Sequence, residues 1–531
     1  MLKQIIFNIL LLIFLFASVA QATKSDPVTH FDIKGYKVEG NTLLSKEKIN
    51  SVLAPFTGKK KDFGTVREAI AALKKAYRDR GYLVKVALPE QDLDNGIVHF
   101  KIIETRINKI KTEGNRFFDE SNIRLSLPSL QEGQPPDLNF ISRSLSVANE
   151  NPARKISLQL QSNSDKENEV DAVLQVADEK PWKAGVTFDN TGDSNTGRFR
   201  IGTLFQHANL FNRDHLVTLQ YITSASQPDH VSIYGMGYRI PFYLTGSSID
   251  LIGVYSDVNS GTLSVASNAM QVSGKGSIVG LHYNQNLTRI GKYEHKLTLG
   301  LDYRAYVNSV LFGSTQLGNN VTVHPLSLTY AGKWALDRAN AGFYLSAIRN
   351  LPGLGEGFRD TTDYFNRVRT GAPVGYNILR FGANYLHKFG SDWQAGVLFN
   401  GQYTNSPLVP GEQFGIGGAS SVRGFDERII AYDRGYAGSF ELYTPNLASL
   451  ARLSTINCRG LLFYDIGYAS RINPLPGETR SSTISSVGPG LRLSNDRNFS
   501  VSTDYGFVVD PLAGLKSKWS GRWHMMLSLM Y

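Results

Sequence analysis

"KLTLGLDYR", Lys296 to Arg304, alternates with period two: Leu297, Leu299, Leu301 and Tyr303 fall on one face, and Lys296, Thr298, Gly300, Asp302 and Arg304 on the other. Successive side chains of a strand point to opposite sides of its sheet, so this segment reads as a strand with water on one side only. The same alternation returns in "LVTLQY" from Leu216, "VGLHYN" from Val279 and "FSVSTDY" from Phe499. From Trp182 to Tyr531 we count about sixteen such segments, an even number, as bacterial transmembrane barrels require.

The connections support the same reading. "FGSD" near Asp392 and "SNDRN" near Asp496 are tight turns, whereas Asp257 to Lys275, Tyr306 to Val323, Leu351 to Pro373 and Thr404 to Ile430 are long. Short connections on one rim and long ones on the other mark an outer-membrane barrel; a soluble β-sandwich does not sort its loops by length so consistently and rarely needs so many strands. The last strand, "WHMMLSLMY", turns Trp523, Met525, Leu527, Leu529 and Tyr531 toward lipid, and Trp523, Leu527, Leu529 and Tyr531 serve as a C-terminal strand signal.

Composition agrees. Charged residues are 19% and aromatics 11% of 531 residues, with 25 tyrosines, 28 phenylalanines and 50 glycines, a balance toward a mainly β, aromatic-rich class. The formal charge of +10 is scattered, with no basic helix or basic-aromatic ladder, so nucleic acid is not an expected partner. A single cysteine, Cys458, excludes an internal disulfide and a cysteine-based metal site. At the start, "MLKQIIFNILLLIFLFASVAQA" joins Lys3, an apolar run from Ile5 to Phe16 broken only by Asn8, and an A-x-A site at Ala20 and Ala22, the pattern of a cleaved secretory signal over residues 1–22.

Between a short tail, residues 23–30, and the barrel, the chain repeats. "YKVEGNTLLSKEKI" from Tyr36 returns as "IKTEGNRFFDESNI" from Ile110, and Gly40-Asn41 returns as Gly114-Asn115, a period of 114 − 40 = 74 residues. Each copy, 31–105 and 106–180, reads as β-α-α-β-β. In the first, Thr65 and Glu68 are placed as a capping box before Val66, Ile70, Leu73 and Tyr77 at helical spacing, and Gly81 ends the helix. In the second, Asp137 precedes the longer helix. These units offer no cluster for catalysis. They offer sheet edges, to which an extended peptide adds a strand through main-chain hydrogen bonds.

A second unusual stretch, "GIGGASSVRGFDER" from Gly415 to Arg428, sets Arg423 among Gly415, Gly417, Gly418 and Gly424, flanked by Val422 and followed by Phe425. Its glycines do not match a phosphate-binding loop, and no H-E-x-x-H or G-x-S-x-G motif occurs in the chain. Farther on, at 465 − 423 = 42 residues, "LLFYDIGYA" puts Phe463, Asp465 and Gly467 on one strand face and Leu462, Tyr464, Ile466 and Tyr468 on the other. The apolar face belongs to lipid, which turns Asp465 into the lumen. An inward-folded loop brings Arg423 within reach of it, the low-energy arrangement for charges in a partly dehydrated space. In that arrangement Gly467 leaves room beside the carboxylate, and Phe425 wedges the loop tip against the wall.

Two repeated units, a loop carrying V-R-G-F and a strand carrying F-x-D-x-G together resemble the transporters of two-partner secretion, the hemolysin-activator or TpsB family, outer-membrane barrels with polypeptide-transport-associated (POTRA) domains. "NENP" at Asn149 to Pro152 and "PWKAGVTFDNTGDSNTG" from Pro181 to Gly197 add to the likeness. The resemblance implies a sixteen-stranded porin-like channel over 181–531 with an inward loop at 404–430. It further implies POTRA domains in the periplasm and no cofactor, metal or catalytic residue. Its partners would be one large exoprotein (adhesin, hemolysin or hemagglutinin) caught through an N-terminal secretion domain, outer-membrane lipid, and the barrel-assembly machinery during biogenesis. Family members often carry a plugging helix and linker before the first repeat; Thr23 to His30 are too few for both, so some other element, for example the inward loop, would have to occlude the resting pore. A barrel-assembly or insertase protein of the same superfamily is the nearest alternative, but such proteins usually carry more POTRA copies. A passive porin needs no periplasmic receptor, and an outer-membrane enzyme would need a catalytic pair.

Overall fold

The computed structural model describes residues 29–531 apart from 93–94, 163–167, 195, 266–267, 308–310, 313–314, 317–319, 355–358, 454, 496–497, 513 and 515. The expected signal peptide, most of the short tail and the center of the turn at Asp496 lie outside the described residues. The chain forms two compact units, one built chiefly on the first repeat and one that joins the second repeat to everything after it.

In the first unit, Ile97–Glu104 is the central strand of three, parallel to Gly35–Glu39 and antiparallel to Val84–Ala87. The helices Lys46–Leu53 and Phe63–Asp79 cover it, burying Ile49, Leu53, Val66, Leu73 and Tyr77 against Val98, Phe100 and Ile102. Each large aliphatic side chain so buried contributes about 1.5–3 kcal/mol. The longer helix is capped by Asp62, whose carboxylate accepts the Thr65 N–H at 2.8 Å and the Thr65 hydroxyl at 2.9 Å. The N-cap therefore stands one helical turn before the expected Thr65, because Asp62 reaches the Thr65 N–H and the helix already begins at Phe63.

The repeat now has a physical cause. Gly40 and Gly114 hold φ of +83° and +87°, and a Cβ would stand 2.3 Å from the Ile102 carbonyl in one copy and 2.4 Å from the Val176 carbonyl in the other. Only glycine passes this close to a neighboring strand. The following turn is held by a carboxylate at the end of the central strand. Glu104 accepts the Thr42 and Leu43 N–H groups, and Asp178 accepts those of Arg116, Phe117 and Phe118. The two carboxylates keep the same period, 178 − 104 = 74.

The second repeat has a three-stranded sheet with Glu169–Asp178 between Arg106–Glu113 and Arg154–Ser162. After it, sixteen antiparallel strands close into a ring, and Gly521–Met530 pairs back onto Trp182–Asp189 with Leu527 opposite Phe188. Among the described residues no helix is long and apolar enough to cross a membrane; the crossing is made by strands. The alternation of Lys296 to Arg304 is realized, with Leu297, Leu299 and Leu301 exposed on the outer face and Asp302 buried on the inner one.

Three of the long connections differ from the sequence reading. The stretch from Asp257 to Lys275 is mostly a hairpin, because Ser247–Val265 and Asn268–Asn286 remain paired far beyond the barrel's other strands. It lacks proline and is rich in Ser, Thr and Val, which an antiparallel pair accepts. Val321–Val323 already pairs with Arg304 to Tyr306, so the connection before it is shorter than it looked. The glycine-rich loop runs on to Asp433, since Arg434 opens the next strand.

The second repeat is fastened to the short-turn rim of the barrel. Arg154 is fully buried and donates through Nη2 to Asp214 at 2.7 Å, in the turn between Arg200–Leu210 and His215–Ser224. Asn122 reaches the other oxygen of Asp214 at 3.0 Å, and the Tyr243 hydroxyl donates to Asp214 from the next turn. "NENP" belongs to this junction. Asn149 brackets Ile156 with two hydrogen bonds, Glu150 pairs with Arg239 at 2.9 Å, and Asn151 donates to the Ala208 carbonyl at 2.8 Å. Asp119, capping the helix Glu120–Leu125, also accepts from Asn212 at 2.7 Å; the Asn122 N–H, then Ser121 and Asn212, hold its carboxyl below the usual carboxylate range.

Candidate functional site

The loop after Gln394–Tyr403 folds into the barrel and is organized by a small hairpin, Phe414–Ile416 against Ile430–Tyr432. Gly417 and Gly418 both hold φ +103° and Gly424 holds +90°, conformations that side-chain-bearing residues rarely adopt. Gly415 has no such φ. A Cβ there would meet the Arg428 guanidinium at 2.6 Å, so this glycine supplies space and not a turn.

The tip is apolar and buried. Val422 and Phe425 are fully buried with Ile416, Ile430 and Tyr432, against wall residues Ala437, Ala469, Ile484 and Val508. Gly467 makes room for this tip. A Cβ there would press on Val422 Cγ2 at 3.0 Å and Ile416 Cδ1 at 3.1 Å, so the space lies beneath the loop's apolar side chains and not beside the carboxylate as the sequence suggested.

Arg423 crosses from the loop to the wall. Its Nε donates to Asp465 Oδ2 at 2.7 Å and its Nη2 to Oδ1 at 2.8 Å, a two-pronged pairing, while its backbone N–H reaches Oδ2 at 3.0 Å. Nη1 donates to Glu441 at 2.8 Å and Nη2 also to the Ser439 hydroxyl at 2.9 Å. Phe463 lies under the guanidinium, 3.5 Å from ring center to Cζ. Arg423 is 4% exposed and Asp465 0%. A charge-assisted fork of this kind suits Arg and not Lys, because the planar group matches both carboxylate oxygens at once.

Four contributors were not legible in the sequence. Ser439 and Glu441 lie on Arg434–Tyr443, the strand hydrogen-bonded to Asp465's own, with Ser439 directly opposite Asp465. His524 Nε2 accepts the Gly424 N–H at 2.9 Å. Gly506 lets the Gly424 backbone approach, since a Cβ on Gly506 would stand 2.5 Å from the Gly424 nitrogen. Side-chain parity was the available signal. His524 sits on the face of the last strand opposite Trp523 and Met525, which are exposed outward.

The C-terminal strand presents Trp523 and Leu529 outward, with Leu527 partly covered, and Tyr531 packs on Trp182 at 5.5 Å where the ring closes. No group of three or more His, Cys, Asp or Glu side chains among the described residues is arranged to hold a metal ion. Chemically, the site is a loop joined to the barrel wall by a desolvated ion pair.

Comparison with known proteins places these features. A family model described as "Haemolysin secretion/activation protein ShlB/FhaC/HecB" matches residues 168–493, and one described as "POTRA domain, ShlB-type" matches residues 31–105. The heme/hemopexin transporter protein HuxB of Haemophilus influenzae is 20% identical over 487 residues, covering 88% of this chain and 82% of HuxB. The outer membrane transporter CdiB of Dickeya dadantii is 24% identical over 413 residues, covering 76% of this chain and 71% of CdiB. In fold, the chain is similar to the solved structure of CdiB from Escherichia coli, with a TM-score of 0.77 at 19% identity over 96% of this chain and 92% of that one.

Proposed function

The chain belongs to the haemolysin secretion/activation family ShlB/FhaC/HecB and is an outer-membrane transporter with periplasmic POTRA domains, and on that premise we propose how it moves its cargo. The cargo is one large exoprotein that arrives unfolded through its N-terminal secretion domain. An extended segment of it pairs with exposed POTRA sheet edges through main-chain hydrogen bonds, which give affinity with little demand on sequence. The segment then enters the barrel, whose lumen the Arg423-bearing loop occupies at rest. Lipid surrounds the outward apolar face, and the barrel-assembly machinery inserts the chain by way of its last strand, with Trp523, Leu527, Leu529 and Tyr531 as the signal.

One observation carries this reading: the buried Arg154–Asp214 clamp. Arg154 is the first residue of Arg154–Ser162, an edge strand of the second repeat, and Asp214 lies in a short turn of the barrel rim. A peptide added along that edge starts or ends at the pore mouth. A passive pore has no use for such a junction.

The test is reconstitution of secretion. The partner is sought as a neighboring gene for a very large, exported, repeat-rich protein. Made together with this chain in a host that has neither, it should reach the medium; made alone, it should stay in the periplasm. Release that is indifferent to this chain would overturn the proposal. So would a broad gain in assembly of other barrels, which is what an insertase would produce.

A further inference from the structure

The loop that carries Arg423 is held at a second point, far from the first. Glu412 lies 423 − 412 = 11 residues before Arg423 and is 0% exposed. Its Oε1 accepts from Arg304 Nη1 at 2.9 Å and from the Tyr306 hydroxyl at 2.7 Å, and Arg380 Nη2 approaches Oε2 at 3.3 Å. Its backbone carbonyl takes Gln402 Nε2 at 2.9 Å. Gly411 fits beneath Tyr306 only because it has no side chain; a Cβ would come within 2.4 Å of the ring.

The positions of these partners give the contact its meaning. Arg304 and Tyr306 stand on Tyr293–Val307, and Asp465 on Ile456–Ser470; the ring order places these strands six apart among sixteen. The loop is thus a strut between distant walls, tied by Glu412 at its stem and by Arg423 at its tip. The buried pair Arg239–Asp250, by contrast, joins neighboring strands of the wall. Glu412 instead joins a wall to the loop that folds into the lumen. Buried ion pairs between two elements are better suited to specifying and switching an arrangement than to stabilizing it.

We propose that Glu412 is a positioning residue for transport: with Arg304 and Arg380 it forms a second latch, and the pore opens fully only when both ends of the loop are free. Release of Glu412 also takes the carboxylate from Arg380 and leaves Arg304 to Asp302, which its Nη2 reaches at 2.7 Å. The proposal rests on the transporter reading for its consequence in secretion, but pore behavior tests it independently.

The experiment uses the full-length protein in planar lipid bilayers, with Glu412→Gln and Arg380→Gln compared with the parent. Both substitutions weaken the latch, so both should raise the time spent in the high-conductance state several-fold. They remove opposite charges, so ion selectivity should move toward anions in Glu412→Gln and toward cations in Arg380→Gln. Selectivity shifts without a change in open time would mean fixed lumen charges and would overturn the latch. If Glu412→Gln gives no heat-modifiable barrel, the contact belongs to folding, and a releasable latch is again ruled out. Loss of secretion with unchanged pore behavior would contradict the latch and leave the transporter reading intact; correct pore behavior in a chain that secretes nothing would do the reverse.

Discussion

Arg423→Ala should leave folded, heat-modifiable barrels in the outer membrane while reducing export of the exoprotein by at least about tenfold, with altered channel conductance. In the partly dehydrated lumen that the sequence implied, residual water would screen the pair and weaken it. The structure removes that discount, since Arg423 is 4% exposed, Asp465 is 0% exposed and Phe463 covers the guanidinium. Breaking a buried pair from one side costs about 3–5 kcal/mol, and each ~1.4 kcal/mol is a factor of ten in an equilibrium, so the docked loop loses two to nearly four decades of preference. Assembly survives because the strands close a complete hydrogen-bonded ring without the loop. Arg423→Lys should fall between the two, keeping the charge but losing the simultaneous contacts to Asp465 and Glu441. In a double-mutant cycle on secretion, Arg423→Ala and Asp465→Ala should be strongly coupled; strictly additive losses would mean that the two side chains act separately.

Deleting the first POTRA unit, residues 31–105, should bring secretion to background while the barrel still inserts and conducts ions. This unit has its own core around Leu73, Tyr77 and Phe100, so its removal leaves no exposed interior behind. The second unit is a poorer target for deletion. Without it, Asp214 and Tyr243 at the barrel rim would lose Arg154 and Asn122, and a loss of secretion would be confounded with damage to the rim. Unchanged secretion after deletion of 31–105 would reduce the first repeat to a spacer.

What could be read from the sequence follows the range of the interaction. Period two in Lys296 to Arg304 is a local consequence of strand geometry between lipid and water, so the barrel was legible strand by strand. Gly40 and Gly114 were visible as a repeat, but the carbonyls they must pass, Ile102 and Val176, belong to strands that come later in the chain. Asp62 took the capping role from Thr65 because an N-cap competes over a span of three residues, where several candidates fit. Asp465 was found because face parity and a recurring motif agreed on it. Glu441, Ser439, His524 and Glu412 were not found, because their meeting with the loop or the wall depends on which strands become neighbors when the ring closes. Gly467 was placed correctly and given the wrong task, since only the packed loop shows that Val422 and Ile416 need its space.

The central claim, that an unfolded exoprotein passes through this barrel, is tested most directly by photo-crosslinking to a stalled cargo. The cargo would carry a disulfide-closed domain at its C-terminus, and the crosslinking amino acid would replace either Tyr344, whose hydroxyl meets Asn400 inside the barrel, or the adjacent Leu345, 47% exposed on the lipid face. The account predicts capture of the cargo from position 344 and none from position 345. Capture from neither position, or equally from both, would contradict passage through the lumen.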